Sequence, residues 1–88
     1  MIDVKEATAK AREHLESFFP ESDHVQLEEV ELSGEKDFWY ITLSFHGSAD
    51  SVASSLLVGG SVRYKVFKLD ANSGEVISMK NRDIRDIK

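Results

Sequence analysis

From the N-terminus the apolar residues Val4, Ala7, Ala11, Leu15 and Phe18 recur at spacings of 3, 4, 4 and 3. That is the period of one face of an α-helix. Lys5, Glu6, Lys10, Arg12, Glu13 and Glu16 fall between them, with Glu6 and Lys10 in the favourable i,i+4 order. Asp3, followed three residues later by Glu6, reads as a capping box that starts the helix, with Ile2 outside it. Pro20 predicts a stop near Phe18 or Phe19, because the residue before proline avoids helical backbone.

Beyond Pro20 the period changes to two. Val25 and Leu27 alternate with polar residues, as do Val30 and Leu32, but the phase slips by one at Glu28 and Glu29. This predicts a strand with a bulge at the two glutamates. Ser33 and Gly34 open a turn, and 38–45 is the clearest strand. It places Trp39, Ile41, Leu43 and Phe45 on one face and Phe38, Tyr40, Thr42 and Ser44 on the other. Two further strands, 62–69 and 75–79, flank Asp70-Ala71-Asn72-Ser73-Gly74. Asn72 and Ser73 suit a type I turn and Gly74 the left-handed residue after it. A register with Ala71 opposite Glu75 sets Leu69 opposite Ile77 and Phe67 opposite Met79, all on the helix side. Tyr64, Val66 and Val76 then join Phe38 and Tyr40 on the outer face.

The elements define an α+β fold, an N-terminal amphipathic helix packed on one face of an antiparallel meander of about four strands. A strand of eight residues is about 27 Å long and a helix of sixteen about 24 Å, so the helix can lie along the whole sheet. At 88 residues the chain is expected to form one domain, 1–88, with a long Gly-, Ser- and Ala-rich loop at 46–61 around Leu56, Leu57 and Val58.

Charge changes this picture by dividing the chain. The net charge is −5, and residues 21–37 are strongly acidic whereas residues 62–88 are net basic. An acidic total argues against nucleic-acid binding, which draws on clustered Lys and Arg. Pairing between the basic half and the acidic first strand is the expected use of the asymmetry. The absence of cysteine excludes disulfides, thiol catalysis and thiolate metal sites. No apolar run approaches the roughly 20 residues of a membrane-spanning helix. Met1-Ile2-Asp3-Val4 has no signal-peptide character, so a cytoplasmic location is expected.

Candidate chemistry adds little. His14, His24 and His46 have no short ligand spacing, and no metal site is expected. Glu28 and Glu29, as strand neighbours, should point to opposite faces and so not form a carboxylate pair. Ser51, Ser54 and Ser55 lack a nucleophile elbow and a neighbouring base. Gly59-Gly60 lacks the Lys-Ser/Thr of a phosphate cradle. Phe38, Trp39 and Tyr40 have acidic or neutral neighbours, which favours packing over a nucleic-acid platform. No catalytic residue and no cofactor are expected.

The order of parts resembles the PepSY family, a domain of protease propeptides and related bacterial binding proteins. The resemblance is carried by the helix from Val4-Lys5-Glu6-Ala7, by Phe38-Trp39-Tyr40-Ile41-Thr42-Leu43, and above all by the strand, Asp70-to-Gly74 turn and strand from Tyr64 to Val76. It covers about residues 3–80. It implies a helix on an antiparallel sheet, no catalysis, and binding or inhibition of another protein. The expected function is thus a non-enzymatic protein-binding or self-associating module with a protein partner or a homodimer. Its candidate interface is Phe38, Tyr40, Tyr64, Val66 and Val76 with Leu56, Leu57 and Val58. The alternative is a small-ligand carrier or small enzyme with a pocket between helix and sheet.

Overall fold

A computed structural model describes residues 1–20, 22–46 and 62–82 of the chain. Helix α1 spans Val4–Phe18, followed by strands β1 (Asp23–Leu32), β2 (Phe38–His46), β3 (Val62–Asp70) and β4 (Val76–Asn81). The strands pair antiparallel in the order β1-β2-β3-β4, the predicted meander.

Asp3 caps α1 as its spacing predicts: Oδ1 accepts from the Glu6 amide at 2.8 Å. Ala7, Ala11 and Leu15 are fully buried. The two alanines let the helix backbone approach the sheet closely, and the sheet supplies the bulk through Ile41, Leu43, Phe45, Phe67 and Leu69. The ends of the predicted stripe do not follow. Ile2 enters the core instead of Val4, and packing it beside Ala7 makes a hydrophobic staple across the cap. At the other end Phe19 leaves helical geometry at φ −130° and ψ 71° and packs its ring 5.7 Å from that of Phe45. Phe18 stays outside, its ring tilted against His14.

Trp39 ties the N-terminus to the sheet, its Nε1 donating to the Ile2 carbonyl, while the Ile2 amide donates to Ala71. The β3–β4 turn closes as its residues predict. The Gly74 amide donates to the Asp70 carbonyl, and Gly74 sits at φ +79°. Asp70 Oδ1 accepts from the amides of Asn72 and Ser73. Those bonds, Ser73 first and Asn72 second, hold the Asp70 carboxyl below its ordinary value of 3.8.

The register beyond this turn differs from the expected one. Phe67 does face Met79, but Leu69 faces Val76 and Ile77 is an extra residue in a bulge, half exposed. Val76 consequently packs against the core on the helix side, and its assignment to the outer face is corrected. A bulge also corrects the glutamate pair. Glu28 is the extra residue between Leu27 and Glu29, so both carboxylates reach the outer face: Ser44 Oγ donates to Glu28 Oε2 at 2.7 Å, and Arg82 Nη2 lies 2.9 Å from Glu29 Oε1.

Candidate functional site

Of the predicted interface residues, Phe38, Tyr40, Tyr64 and Val66 share the outer face of the sheet, and each is half-buried. Val76 lies on the opposite face, and Leu56, Leu57 and Val58 fall outside the described residues. The outer face is polar at its centre. Thr42 and Ser44 are buried there, and Lys68 Nζ stands 4.2 Å from the centroid of the Phe38 ring. The expected pairing of the basic half with the acidic strand takes an indirect form. Since β1 and β4 are the two edges, Arg82 meets Glu29 only by extending over the intervening strands.

Large apolar side chains are accessible at several places, among them Phe18, Val62 and Ile77, and three of them lie together beside β1. Leu27 is 47% and Val30 37% exposed, although both lie on the helix side opposite Leu43 and Ile41. Val4 at the first turn of α1 is likewise exposed. The cause is width, because one helix packed most closely on β2 does not cover the whole of the edge strand. What remains is a groove of about 500 Å³ between α1 and β1, lined by apolar Val4, Ala9 and Leu27 and by charged Arg12, Glu13 and Glu16. Arg12 bridges the helix to β1 by donating from Nη2 to the Val25 carbonyl at 2.8 Å.

The backbone of β1 adds a second feature. The Ser33 amide donates to the Phe38 carbonyl at 2.9 Å, which makes those residues a hydrogen-bonded pair. Antiparallel pairs alternate, so Glu31 opposite Tyr40 and Glu29 opposite Thr42 turn their amides toward β2. Val30 and Leu32 turn theirs to the outer edge, where no described strand pairs with them. On the other side of the same stretch, Glu29, Glu31, Tyr40, Thr42 and Arg82 border a hollow of about 340 Å³ on the outer face. Glu31 is exposed and has no ion-pair partner among the described residues.

The interior between helix and sheet is filled by side chains, with Leu15, Ile41, Phe45, Phe67 and Leu69 all fully buried. The grooves just described lie at the surface rather than in that interior. The β1–β2 pairing brings His24 and His46 together, ring centroids 4.8 Å apart, with Asp23 Oδ2 3.1 Å from His24 Nδ1. Sequence spacing concealed that proximity, because only strand pairing creates it. No group of three or more metal-ligating side chains occurs among the described residues. Nor is any described helix long and apolar enough to cross a membrane.

Comparison with family models, curated proteins and solved structures finds no match. The resemblance to the PepSY domain therefore rests on its own residues.

Proposed function

We propose that this chain is a non-enzymatic protein-binding module of PepSY-like type, acting in the cytoplasm, and that the α1–β1 side is its binding surface. The observation that carries the reading is the coincidence of an apolar groove with an edge strand whose outward amides have no described partner. Exposed Leu27, Val30 and Val4 supply apolar contact area, and a strand edge supplies directional hydrogen bonds. The outer face around Tyr40 and Tyr64 is the weaker candidate, since its aromatic rings are half-buried and its centre is polar.

The test is site-specific photo-crosslinking in an extract of the source cells. A crosslinking amino acid replaces Leu27 in one protein and Ile77, which is also half exposed but lies on β4, in another. Discrete adducts from position 27 that are absent from position 77 are the expected result. Adducts that are the same from both positions, or absent from both, contradict the reading.

A further inference from the structure

We infer that the occupant of this edge is an extended peptide segment of alternating apolar and basic residues, added to the sheet as a fifth strand beside β1. The inference rests on the binding reading above and specifies the partner's chemistry. Its basis is that the two faces of one short stretch, 27–32, differ in kind.

The geometry follows from the alternation of the β1–β2 pairs. Val30 and Leu32 turn both backbone groups to the open edge and their side chains to the helix side. A residue of an incoming strand opposite either of them would send its own side chain to the same side, the side of the groove that Leu27 and Val4 line. That position suits an apolar side chain. A residue opposite Glu31 would instead project onto the outer face, beside the hollow that Glu31 borders with Tyr40; Glu29, on the same hollow, is already paired with Arg82. The position opposite Glu31 suits Lys or Arg, because opposite charges directly across strands attract and like charges repel.

The same charges argue against the other occupants. Residues 23–32 contain Asp23, Glu28, Glu29 and Glu31 and neither Lys nor Arg. Two copies joined β1 to β1 would set these carboxylates against one another, so that pairing is disfavoured. An acidic or uniformly apolar strand would leave Glu31 uncompensated. Arg12, bound to the Val25 carbonyl, limits the open stretch at one end, and the 33–37 turn limits it at the other. The peptide is therefore short, and the strand alternation rather than its length supplies the selectivity.

The experiment titrates isotope-labelled full-length protein with a blocked octapeptide alternating valine and lysine. The controls are a block peptide of the same composition and an alternating valine–glutamate peptide. Affinity for the alternating basic peptide is expected to exceed that for either control by about tenfold or more, and to weaken with added salt. At saturation, hydrogen exchange at the Val30 and Leu32 amides slows by about tenfold or more, as a new strand ladder requires. Leu27→Lys, at a half-exposed site, abolishes the binding, and Glu31→Lys reverses the preference between lysine and glutamate peptides.

Equal binding of the alternating and block peptides overturns the inference, as does binding that leaves Val30 and Leu32 exchange unchanged. Concentration-dependent protection of those amides without peptide also overturns it, because a second copy then occupies the edge. If crosslinking from position 27 succeeds while these peptide results fail, the binding reading stands and only the strand inference falls. If both fail, both fall.

Discussion

β1 and β2 are adjacent strands of 10 and 9 residues, hydrogen-bonded along their length. In β2 the five residues Ile41, Thr42, Leu43, Ser44 and Phe45 are buried in succession, whereas no residue of β1 is buried. The two strands differ in position before they differ in composition. β2 has a strand on each side, the helix above Ile41, Leu43 and Phe45, and a polar arrangement over Thr42 and Ser44 in which Glu28 takes the Ser44 hydroxyl. β1 has a neighbour on one side only, two register shifts, and a helix that stops short of Leu27 and Val30. One strand is therefore fixed by packing and the other is left accessible along one edge. The contrast also explains the concentration of negative charge on β1, since charge on an edge discourages indiscriminate pairing with other strands.

The contrast is broken most directly by truncation. Phe45→Ala is expected to destabilise the fold by about 3–5 kcal/mol, because it empties a fully buried site against Phe19 and the helix. Leu27→Ala should cost less than about 1 kcal/mol, since nearly half of that side chain is already in water. Urea midpoints measure both, and equal losses would show that β1 is as deeply packed as β2. The two hairpin tips extend the comparison. Gly74→Val is expected to cost about 1–3 kcal/mol, because a β-branched residue is strained at φ +79°. Its Cβ would also stand 3.2 Å from Lys10 Cε and 3.3 Å from Ile2 Cδ1. Gly34→Ala, at a tip where an added Cβ meets nothing within 4 Å, should stay within about 0.5 kcal/mol of the parent in the same assay.

Smaller effects sharpen the picture. The Arg82–Glu29 pair links the two edges of the sheet but remains partly exposed, so its coupling in a double-mutant cycle is expected to be about 1 kcal/mol or less and to shrink with salt. A coupling that salt does not change would mean that the pair is shielded from solvent. The smallest effect concerns pH. The folded-state value of Asp70 is lowered, so its stabilising contribution is present above the ordinary 3.8 and is lost as pH falls through the folded value. Its carboxyl should titrate below 3.8 by NMR. Replacement with Asn should remove that part of the acid dependence, and an unchanged acid limb would assign the dependence to other carboxylates.

Much of the fold was legible in the sequence because local chemistry and tertiary packing agree there. The spacing of Ala7, Ala11 and Leu15, the Asp3 cap, the strict alternation through Trp39, Ile41, Leu43 and Phe45, and the turn to Gly74 each carry a structural requirement within a few residues. Within the sheet, the wrongly expected faces fall where a bulge resets the alternation. At Ile77 the bulge is invisible because apolar residues occupy both phases, so alternation alone puts Val76 on the wrong face. At Glu28 the phase slip revealed the bulge, but the rule that neighbours face opposite ways no longer applies to the two residues sharing it. The groove was harder to anticipate. Val4, Leu27 and Val30 look like core residues by period, and only the lateral placement of one helix over four strands leaves them accessible. An acidic run sharing a strand with such residues was the available signal.

β1 presents an open edge at Val30 and Leu32, where no described strand pairs with it. Residue-resolved hydrogen exchange of the unliganded protein tests it without any partner. The account predicts alternation along one strand: slow exchange at Glu29 and Glu31, whose amides bond to β2, and exchange close to that of an unstructured chain at Val30 and Leu32. Protection at Val30 and Leu32 equal to that at Glu29 and Glu31, independent of protein concentration, would mean that the edge is already covered and would contradict the account.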